Sequence, residues 1–277
     1  MNELNVKETK INELLAKYDR VLVAFSGGID STLVLDAALK VLGCEKVTAV
    51  VANSALFTDE EFNKAVKLAQ DLGANVKTVE LDYLANTEIK NNTPASWYWM
   101  KKIFYQKLNE LKAELNATVV LDGMIMDDND DFRPGLRARD EEKAVSILQQ
   151  ADIYKPEVRK LAAQRGLTNW NKVASCSVSS RFSYYTELTL PAIKRVMKSE
   201  AYLRGLGFLT VRVRVQDSAA RIEVPTEQVI SLINQMSTIN QQLKAYGFRY
   251  VTLDLQGFES GRMNEELPEA QKTALVG

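Results

Sequence analysis

The chain has 277 residues and a formal net charge of −1, because 35 lysines and arginines balance 36 aspartates and glutamates. Nucleic-acid-binding proteins usually carry a basic excess, so we expect no nucleic-acid partner. Histidine is absent, which excludes Ser–His, Cys–His and His–metal mechanisms and leaves carboxylate, lysine, tyrosine or the substrate as general base. The two cysteines, Cys44 and Cys176, are too few for a disulfide framework or a four-cysteine zinc site.

The hydropathy pattern indicates no membrane partner. No run of about 18 apolar residues is present, so we expect no membrane span. The first residues of the chain are charged and lack the apolar stretch of a signal peptide. We therefore expect a cytoplasmic location.

The first two thirds of the chain alternate between predicted helices and predicted strands. Unbroken apolar runs predict strands buried on both faces, and apolar residues at helical spacing predict the helices between them. This alternation predicts an α/β fold with a doubly wound, mostly parallel sheet. In chain order we expect a helix at 6–18, a strand at 20–25, a helix at 30–42, a strand at 47–52, a helix at 59–72, a strand at 75–81, a helix at 96–114, a strand at 118–121 and a helix at 156–165.

The pattern changes after about residue 186. Segments in which apolar and polar residues alternate predict a sheet with one exposed face. We therefore divide the chain into a larger α/β domain at 1–185 and a smaller α+β domain at 186–277, which would serve substrate binding or oligomerisation. The elements predicted there are a helix at 190–205, strands at 210–215 and 220–224, a helix at 226–245 and a strand at 248–255.

A glycine-rich segment at 25–32, FSGGIDST, joins the first strand to the next helix. Its glycines let the backbone approach a ligand, and the helix starting at Asp30 points free N–H groups at that ligand. The segment predicts a pyrophosphate cradle and matches neither the Walker A nor the G-x-G-x-x-G pattern. A Gly-Gly turn capped by Asp30 is the alternative. The predicted cradle residues are Ser26, Gly27, Gly28, Asp30, Ser31 and Thr32.

Cys176 lies in a polar, serine-rich segment at 171–181. Such a segment is unlike a core, so we expect an accessible thiol, and Lys172 or Arg181 would favour its thiolate. An inert, buried cysteine is the alternative. Cys44 lies between a helix and a strand, and we expect a structural role for it.

The segment at 25–32 is similar to the S-G-G-x-D-S signature of PP-loop ATP pyrophosphatases, which adenylate a carbonyl or carboxyl oxygen. Over nearly its whole length the chain resembles the LarE family of ATP-dependent sacrificial sulfur transferases, which act in nickel-pincer cofactor biosynthesis for lactate racemase. The resemblance implies that 1–185 is a PP-loop domain, that the cradle binds ATP, and that Asn53 and Ser54 meet the adenine. It rests on the PP-loop, the Cys176 segment, and the segments 58–62, 92–94 with Trp97, 131–138, 212–214, 220–223, 247–255 and 261–264.

The resemblance also implies a reaction. ATP with Mg²⁺ would adenylate a carboxylate of pyridinium-3,5-biscarboxylic acid mononucleotide, and the Cys176 thiolate would displace AMP to form a thioester. Loss of the cysteine α-proton would then break the C–S bond, release a thiocarboxylate and leave dehydroalanine. Some family members use three cysteines for an iron–sulfur cluster, which two cysteines cannot hold. The resemblance implies a homo-oligomer as well.

Several side chains are candidates for binding the substrate. Arg212 and Arg214 lie two apart on a strand, so they share a face and suit a nucleotide phosphate, although a solvated sheet face is an equal alternative. Trp97 and Lys101 share a helix face, and the indole would stack on a pyridinium ring, although a core tryptophan is as good an interpretation. The remaining candidates are Arg133, Arg137, Lys155, Ser180 and Arg181.

Carboxylates are the candidates for Mg²⁺ and for the base. Glu200 and Glu223 match the family pattern and would bind metal or take a proton, with surface glutamates as the alternative. The acidic run at 127–131 is usually a solvated loop, although one member would hold Mg²⁺ through water. The resemblance leaves open which group removes the α-proton.

One segment departs from the family pattern. Where the family would have Arg-x-Pro-Tyr-Gly-Thr, residues 181–186 read RFSYYT. The loss of proline and glycine changes the backbone conformations that this turn favours.

Other functions predict other outcomes. A PP-loop synthetase or amidotransferase would adenylate a carboxylate for ammonia and would not need Cys176. A tRNA-thiolating enzyme would favour a basic face and a second catalytic cysteine. A nucleotide sensor would bind ATP without releasing pyrophosphate.

Overall fold

The computed structural model describes residues 3–170, 176–259 and 261–276. The chain forms two compact units. The first contains residues 1–83, 97–175 and 273–277, and the second contains residues 84–96 and 176–272. The predicted domains, 1–185 and 186–277, stay a prediction.

The first unit contains a four-stranded parallel sheet in the order β3-β2-β1-β4. All residues of β1 and β4 are buried, as their apolar sequences predict. The predicted α/β fold with a parallel sheet is confirmed. The strands are β1 (Val21–Ala24), β2 (Val47–Asn53), β3 (Asn75–Glu80) and β4 (Val119–Leu121).

The order of these strands creates a site for a ligand. The chain adds β2 and β3 on one side of β1 and then returns to place β4 on the other side. Loops that leave β1 and β4 therefore diverge at a topological switch point, where ligands of open α/β sheets bind. The glycine-rich segment at 25–32 follows β1 directly.

The helices follow the predicted pattern, with short helices added. Helix α2 is largely buried, from Ile29 through Ala38, which fits its apolar sequence. The sequence did not predict the short helices because four to eight residues carry too little periodicity. The helices are α1 (Glu3–Leu15), α2 (Ile29–Leu42), α3 (Asp59–Asp71), α4 (Thr87–Lys90), α5 (Ser96–Glu114), α6 (Gly135–Glu141), α7 (Ile147–Gln150), α8 (Lys155–Gln164), α9 (Leu190–Gly205), α10 (Val229–Ile233), α11 (Met236–Ala245) and α12 (Glu269–Val276).

The second unit contains a three-stranded sheet formed by β5 (Arg212–Gln216), β6 (Ala219–Glu223) and β7 (Tyr250–Leu253). Strands β5 and β6 are antiparallel and joined by a tight turn, whereas β6 and β7 are parallel. A parallel pair needs a long crossover, which α10 and α11 supply. The predicted smaller α+β region is confirmed in its fold class.

The prediction of one helix at 226–245 was wrong. A 3₁₀ turn at Thr226–Gln228 precedes α10, and α11 begins after Gln235. The backbone of Gln235 has φ −107° and ψ 9°, which interrupts the i→i−4 hydrogen bonds. Asn234, just before it, has a low helix propensity.

No helix among the residues that the structure describes is both long and apolar enough to cross a membrane.

The turn at 181–186 holds a tyrosine in a glycine-like backbone conformation. Tyr185 has φ +64° and is 65% exposed. Its N–H donates to the Asn92 carbonyl oxygen at 3.1 Å, which fixes the turn. A left-handed conformation costs a non-glycine residue about 1–2 kcal/mol. The glycine of the family pattern would avoid this cost.

We therefore expect the free energy of unfolding of Tyr185→Gly to equal or exceed that of the native chain. Tyr185→Val should lower the free energy of unfolding by about 1 kcal/mol, because a β-branched residue fits left-handed backbone poorly. Both variants lose the hydrogen bond from Gln271 Nε2 to Tyr185 Oη at 2.9 Å. The difference between their free energies of unfolding therefore reports the backbone preference at residue 185. Urea denaturation measures it, and equal stability of the two variants would contradict the strain.

Candidate functional site

The glycine-rich segment forms a tight loop between β1 and α2. Gly27 has φ +67°. A Cβ atom at this position would lie 2.9 Å from Ala65 Cβ, so the loop needs a glycine here both for its backbone and for space. Gly28 caps α2 in an extended conformation. The N-terminus of this 14-residue helix thus opens directly onto the loop.

Three hydroxyl groups hold the loop together. Ser31 Oγ lies 3.2 Å from Ser26 Oγ and donates to the Gly28 carbonyl oxygen at 3.1 Å. Thr32 Oγ1 donates to the same carbonyl oxygen at 2.8 Å. Thr32 is fully buried and Ser31 nearly so. The hydroxyls of Ser31 and Thr32 therefore fix the backbone of the cradle, whereas Ser26 is the exposed member.

Two residues that the sequence interpretation missed also shape this loop. A Cβ atom on Gly123, which follows β4, would lie 2.6 Å from Ser31 N. Asn169 donates from Nδ2 to Thr32 Oγ1 at 2.9 Å and to the Gly27 carbonyl oxygen at 3.2 Å. Neither residue belongs to a local motif, and only the three-dimensional contact reveals them. A lone glycine at the end of a predicted strand was the one available signal.

Asp30 and Lys155 form an ion pair at the start of α2. Lys155 Nζ lies 2.7 Å from both carboxylate oxygens of Asp30. Burial raises the pKa of Asp30 above its ordinary value, Lys155 opposes this effect, and the charge of Asp128 adds to it. The structure thus brings two predicted site residues together and places a second carboxylate near them.

The predicted adenine-binding residues lie at the carboxyl end of β2. Asn53 Nδ2 donates to Glu80 Oε1 at 3.0 Å. Ser54 is buried, and its Oγ accepts from Leu56 N at 3.3 Å. Contact with adenine stays a prediction for both residues.

Helix α5 carries Trp97 and Lys101. Trp97 is partly buried, so it is not the core tryptophan of the alternative interpretation. Lys101 Nζ lies 5.6 Å from the centroid of the Tyr105 ring. Burial lowers the pKa of the Lys101 amine, Asp122 opposes this effect, and Arg133 adds to it. An ammonium in such surroundings favours an anionic ligand.

Arg133 and Arg137 differ in their surroundings. Arg133 Nε pairs with Asp128 Oδ1 at 3.2 Å and with Asp131 Oδ2 at 3.1 Å. The guanidinium carbon of Arg137 lies 4.1 Å from the centroid of the Tyr98 ring. The acidic run at 127–131 is thus partly neutralised by Arg133 rather than simply solvated.

Cys176 lies in the second unit and is exposed, as predicted. The alternative of a buried cysteine is therefore wrong. A 3₁₀ turn at Val178–Arg181 follows it, and the Ser177 side chain caps this turn by accepting from Ser179 N. Lys172 lies outside the described residues. Cys44 is exposed too.

Arg181 and Glu200 form a buried ion pair at the end of the segment 176–181. We call this segment the Cys176 loop. Arg181 Nε lies 2.9 Å from Glu200 Oε1, and Nη2 lies 3.2 Å from Oε2. Glu200 Oε1 also accepts from Val213 N at 3.1 Å. Burial raises the pKa of Glu200, but Arg181, Arg212 and the Val213 N–H together outweigh burial, so the pKa lies below its ordinary value.

Glu223 is fully buried among three arginines. Its Oε1 atom lies 2.6 Å from Arg214 Nε, 3.4 Å from Arg221 Nη2 and 3.6 Å from Arg262 Nη1. The alternative of surface glutamates is therefore wrong for Glu200 and Glu223. No group of three potential metal ligands occurs within residues 3–170, 176–259 and 261–276. Metal binding by the two glutamates stays a prediction.

Arginines that pair with Glu200 and Glu223 line a cavity of about 240 Å³ in the second unit. Ser180, Arg181, Arg214, Arg221 and Arg262 all reach it. Arg214 Nη1 also donates to the Ser180 carbonyl oxygen at 2.8 Å, which ties β5 to the Cys176 loop. Two carboxylates, Glu265 and Glu266, line the cavity together with these arginines. The guanidinium groups suit a phosphate or carboxylate.

Arg212 lies on β5, two residues before Arg214. Burial lowers the pKa of Arg212, Arg181 adds to this effect, and the charges of Glu200 and Cys176 oppose it. Both Arg212 and Arg214 are partly buried, so the alternative of a solvated sheet face is wrong.

We expect Lys155→Met to weaken ATP binding about tenfold at neutral pH, a loss of about 1.4 kcal/mol. Without Lys155 the Asp30 carboxylate loses its cationic partner, so its charge opposes the phosphates. Calorimetry of ATP binding at neutral pH measures the affinity. Lys40→Met removes one partner of Asp36 on the same helix, while Arg165 remains paired with Asp36, and this variant should bind ATP normally. Equal ATP affinity of Lys155→Met and the native chain would contradict the account.

Comparison with known proteins places these features in a family. A family model described as NAD synthase matches residues 4–108, and PP-loop domains of this class use ATP. A glutamine-hydrolyzing GMP synthase chain of Sulfurisphaera tokodaii is 26% identical over 53% of this chain and 43% of its own length.

Two relatives match nearly the whole chain. An uncharacterized protein of Synechocystis is 38% identical over 95% of this chain and 99% of its own. Pyridinium-3,5-bisthiocarboxylic acid mononucleotide synthase of Lactiplantibacillus plantarum is 58% identical over 271 residues, which are 98% of each chain. The chain therefore belongs to the LarE family of pyridinium-3,5-bisthiocarboxylic acid mononucleotide synthases.

Proposed function

We propose that this enzyme adenylates a carboxylate of pyridinium-3,5-biscarboxylic acid mononucleotide and converts it to a thiocarboxylate with sulfur taken from Cys176. The observation that carries the proposal is the exposed Cys176 thiol near the buried Arg181 and the partly buried Arg212, in a chain that also has a PP-loop. A synthase with 58% identity over 98% of the chain supports the choice of substrate.

In this proposal the first unit binds ATP and forms the adenylate. The loop N–H groups and the α2 N-terminus hold the phosphates, with Ser26, Gly27, Gly28, Ser31 and Thr32 forming the cradle. Cleavage between the α and β phosphates releases pyrophosphate and leaves AMP on the substrate carboxylate. AMP is a good leaving group for the next step.

Two carboxylates of the first unit, Asp30 and Asp128, would hold a Mg²⁺ ion. The charge of Asp128 acts on Asp30, and each carboxylate has a cationic partner, Lys155 for Asp30 and Arg133 for Asp128. Mg²⁺ usually binds one or two carboxylates together with substrate phosphates. When bound, it would neutralise charge on the phosphates. Lys155 adds a positive charge at the same place.

Each unit contains side chains that suit a part of the pyridinium nucleotide. In the second unit, hydrogen-bond donors and positive charge near Cys176 suit a phosphate, and they come from Ser180, Arg181, Arg212 and Arg214. In the first unit Trp97 is a stacking surface for a cationic ring, and Lys101, Arg133 and Arg137 favour carboxylates.

The proposed sulfur transfer has two steps after adenylation. The Cys176 thiolate attacks the acyl carbon and AMP leaves, which forms a thioester between enzyme and substrate. A base then takes the Cα proton of residue 176, the electron pair forms a Cα=Cβ bond, and the Cβ–Sγ bond breaks with its electrons on sulfur. The product is a thiocarboxylate, and residue 176 remains as dehydroalanine without any external oxidant or reductant.

The cytoplasmic location and the homo-oligomeric state belong to the proposal. The absence of a spanning helix among the described residues leaves both untested.

Cys176→Ser should release pyrophosphate when given ATP, Mg²⁺ and the pyridinium dicarboxylate, but it should form no thiocarboxylate. Serine retains the exposed position but carries no sulfur to give. Chromatography with mass detection of the small-molecule product measures the transfer. Cys44→Ser changes the other exposed cysteine and should form the product at the native rate.

The same experiment tests the rival function. With ammonium added to the assay, a synthetase that passes the activated carboxylate to ammonia would form an amide in both variants. Thiocarboxylate formation by Cys176→Ser would contradict sulfur donation by Cys176, and amide formation by this variant without thiocarboxylate from the native chain would favour the rival.

A further inference from the structure

The guanidinium of Arg181 contacts a carboxylate on one edge and the segment that carries Cys176 on the other. One edge, Nε with Nη2, is held by the carboxylate of Glu200 at 2.9 Å and 3.2 Å. Both side chains are only 6% exposed. A bidentate pair fixes the plane of the guanidinium as well as its position. The remaining nitrogen, Nη1, is therefore aimed by the pair.

Nη1 of Arg181 points into the loop that carries Cys176. It donates to Ser180 Oγ at 2.7 Å, to the Ser177 carbonyl oxygen at 3.2 Å and to the Cys176 carbonyl oxygen at 3.5 Å. The contact with Cys176 is the longest of the three. Catalytic hydrogen bonds are often long before the reacting state forms and shorten when charge develops on the acceptor.

The Cys176 carbonyl is the group that the proposed elimination would charge. Removal of the Cα proton leaves an electron pair on Cα of residue 176. That pair is conjugated with the carbonyl bonded to the same Cα, so negative charge moves onto the Cys176 carbonyl oxygen as an enolate. A simple amide Cα–H is a very weak acid, and stabilising this oxygen lowers the barrier to its removal.

We propose that Arg181 is the oxyanion-stabilising residue of the elimination step, through a hydrogen bond from Nη1 to the Cys176 carbonyl oxygen. The inference rests on the proposed function, because only an elimination puts charge on this oxygen. The enolate returns its electron pair to form Cα=Cβ, and the Cβ–Sγ pair leaves on the thiocarboxylate sulfur. Arg181 exchanges no proton in this sequence.

The neighbouring charges fit this role. Glu200 balances Arg181 from the far edge, and the charged carboxylate also accepts from Val213 N, so its negative charge is partly compensated by a second donor. Arg204 Nη1 lies 3.6 Å from Glu200 Oε2 and compensates it further. Arg181 therefore keeps a positive field toward Cys176, with Arg212 and Arg214 nearby on β5.

The experiment follows the thioester directly. Arg181→Lys keeps a cation for Glu200 but removes the second N–H arm. Mixed with ATP, Mg²⁺ and the pyridinium dicarboxylate, this variant should form the covalent thioester and then convert it to dehydroalanine about a hundredfold more slowly than the native chain, the usual loss for one oxyanion donor. Quenched-flow intact mass measures both species. Arg204→Lys alters the other arginine of Glu200 and should eliminate at the native rate.

A second readout separates this role from loss of structure. In chains labelled with α-deuterated cysteine, the slowed elimination of Arg181→Lys should show a primary isotope effect at least as large as in the native chain. If Arg181→Lys does not fold, the double variant Arg181→Met with Glu200→Gln removes both buried charges and should also accumulate the thioester.

Two results would overturn the assignment. One is a thioester in Arg181→Lys, or in the double variant, that decays at the native rate or without an isotope effect. The other is pyrophosphate release with no thioester, which would move Arg181 to the capture step. If the native chain itself forms neither thioester nor dehydroalanine, the proposed function fails and the assignment fails with it.

Discussion

The Cys176 loop depends on the buried ion pair between Arg181 and Glu200. The residues just after the exposed Cys176 are buried. The guanidinium of Arg181 donates hydrogen bonds to three residues of the loop. Burying this pair costs desolvation energy that its mutual attraction only partly returns. Loss of one partner alone would leave an unpaired buried charge, so the loop geometry and the ion pair are coupled.

The same arrangement recurs around Glu223. Arg214, Arg221 and Arg262 all approach its Oε1 atom, and Asp254 accepts from Arg262 at 3.0 Å. In the second unit, arginines therefore outnumber the carboxylates that hold them. The carboxylates fix the guanidinium groups in place, and Glu265 and Glu266 line the cavity that these arginines reach.

In the first unit, close packing and hydrogen bonds hold the glycine-rich loop between β1 and α2. Its cradle presents backbone N–H groups, so the backbone itself must be rigid. Gly123 approaches Ser31, and Gly27 approaches Ala65, so closely that neither position tolerates a side chain. Asn169 and the hydroxyls of Ser31 and Thr32 complete the loop. The ion pair of Asp30 with Lys155 holds the Lys155 ammonium at the start of α2.

Much of this organisation could be predicted from sequence. The parallel sheet follows from four apolar strands with helices between them, and the PP-loop is a local motif, so both were predicted correctly. Membership of a synthase family confirms the predicted sulfur-transferring enzyme. The exposed position of Cys176 followed from its polar neighbours. By contrast, Asn169 and Gly123 act through contacts with distant segments, and the burial of Glu200 and Glu223 depends on arginines far away in sequence. Local patterns carry no signal for such pairings.

In the proposed reaction Cys176 gives up its sulfur once and is consumed. The most direct measurement is the intact mass of the native chain after incubation with ATP, Mg²⁺ and the pyridinium dicarboxylate, together with the count of sulfur atoms in the product. The account predicts a mass loss of one H₂S, mapped to residue 176, and one sulfur transferred per chain. An unchanged mass, with more sulfur transferred than there are chains, would contradict it.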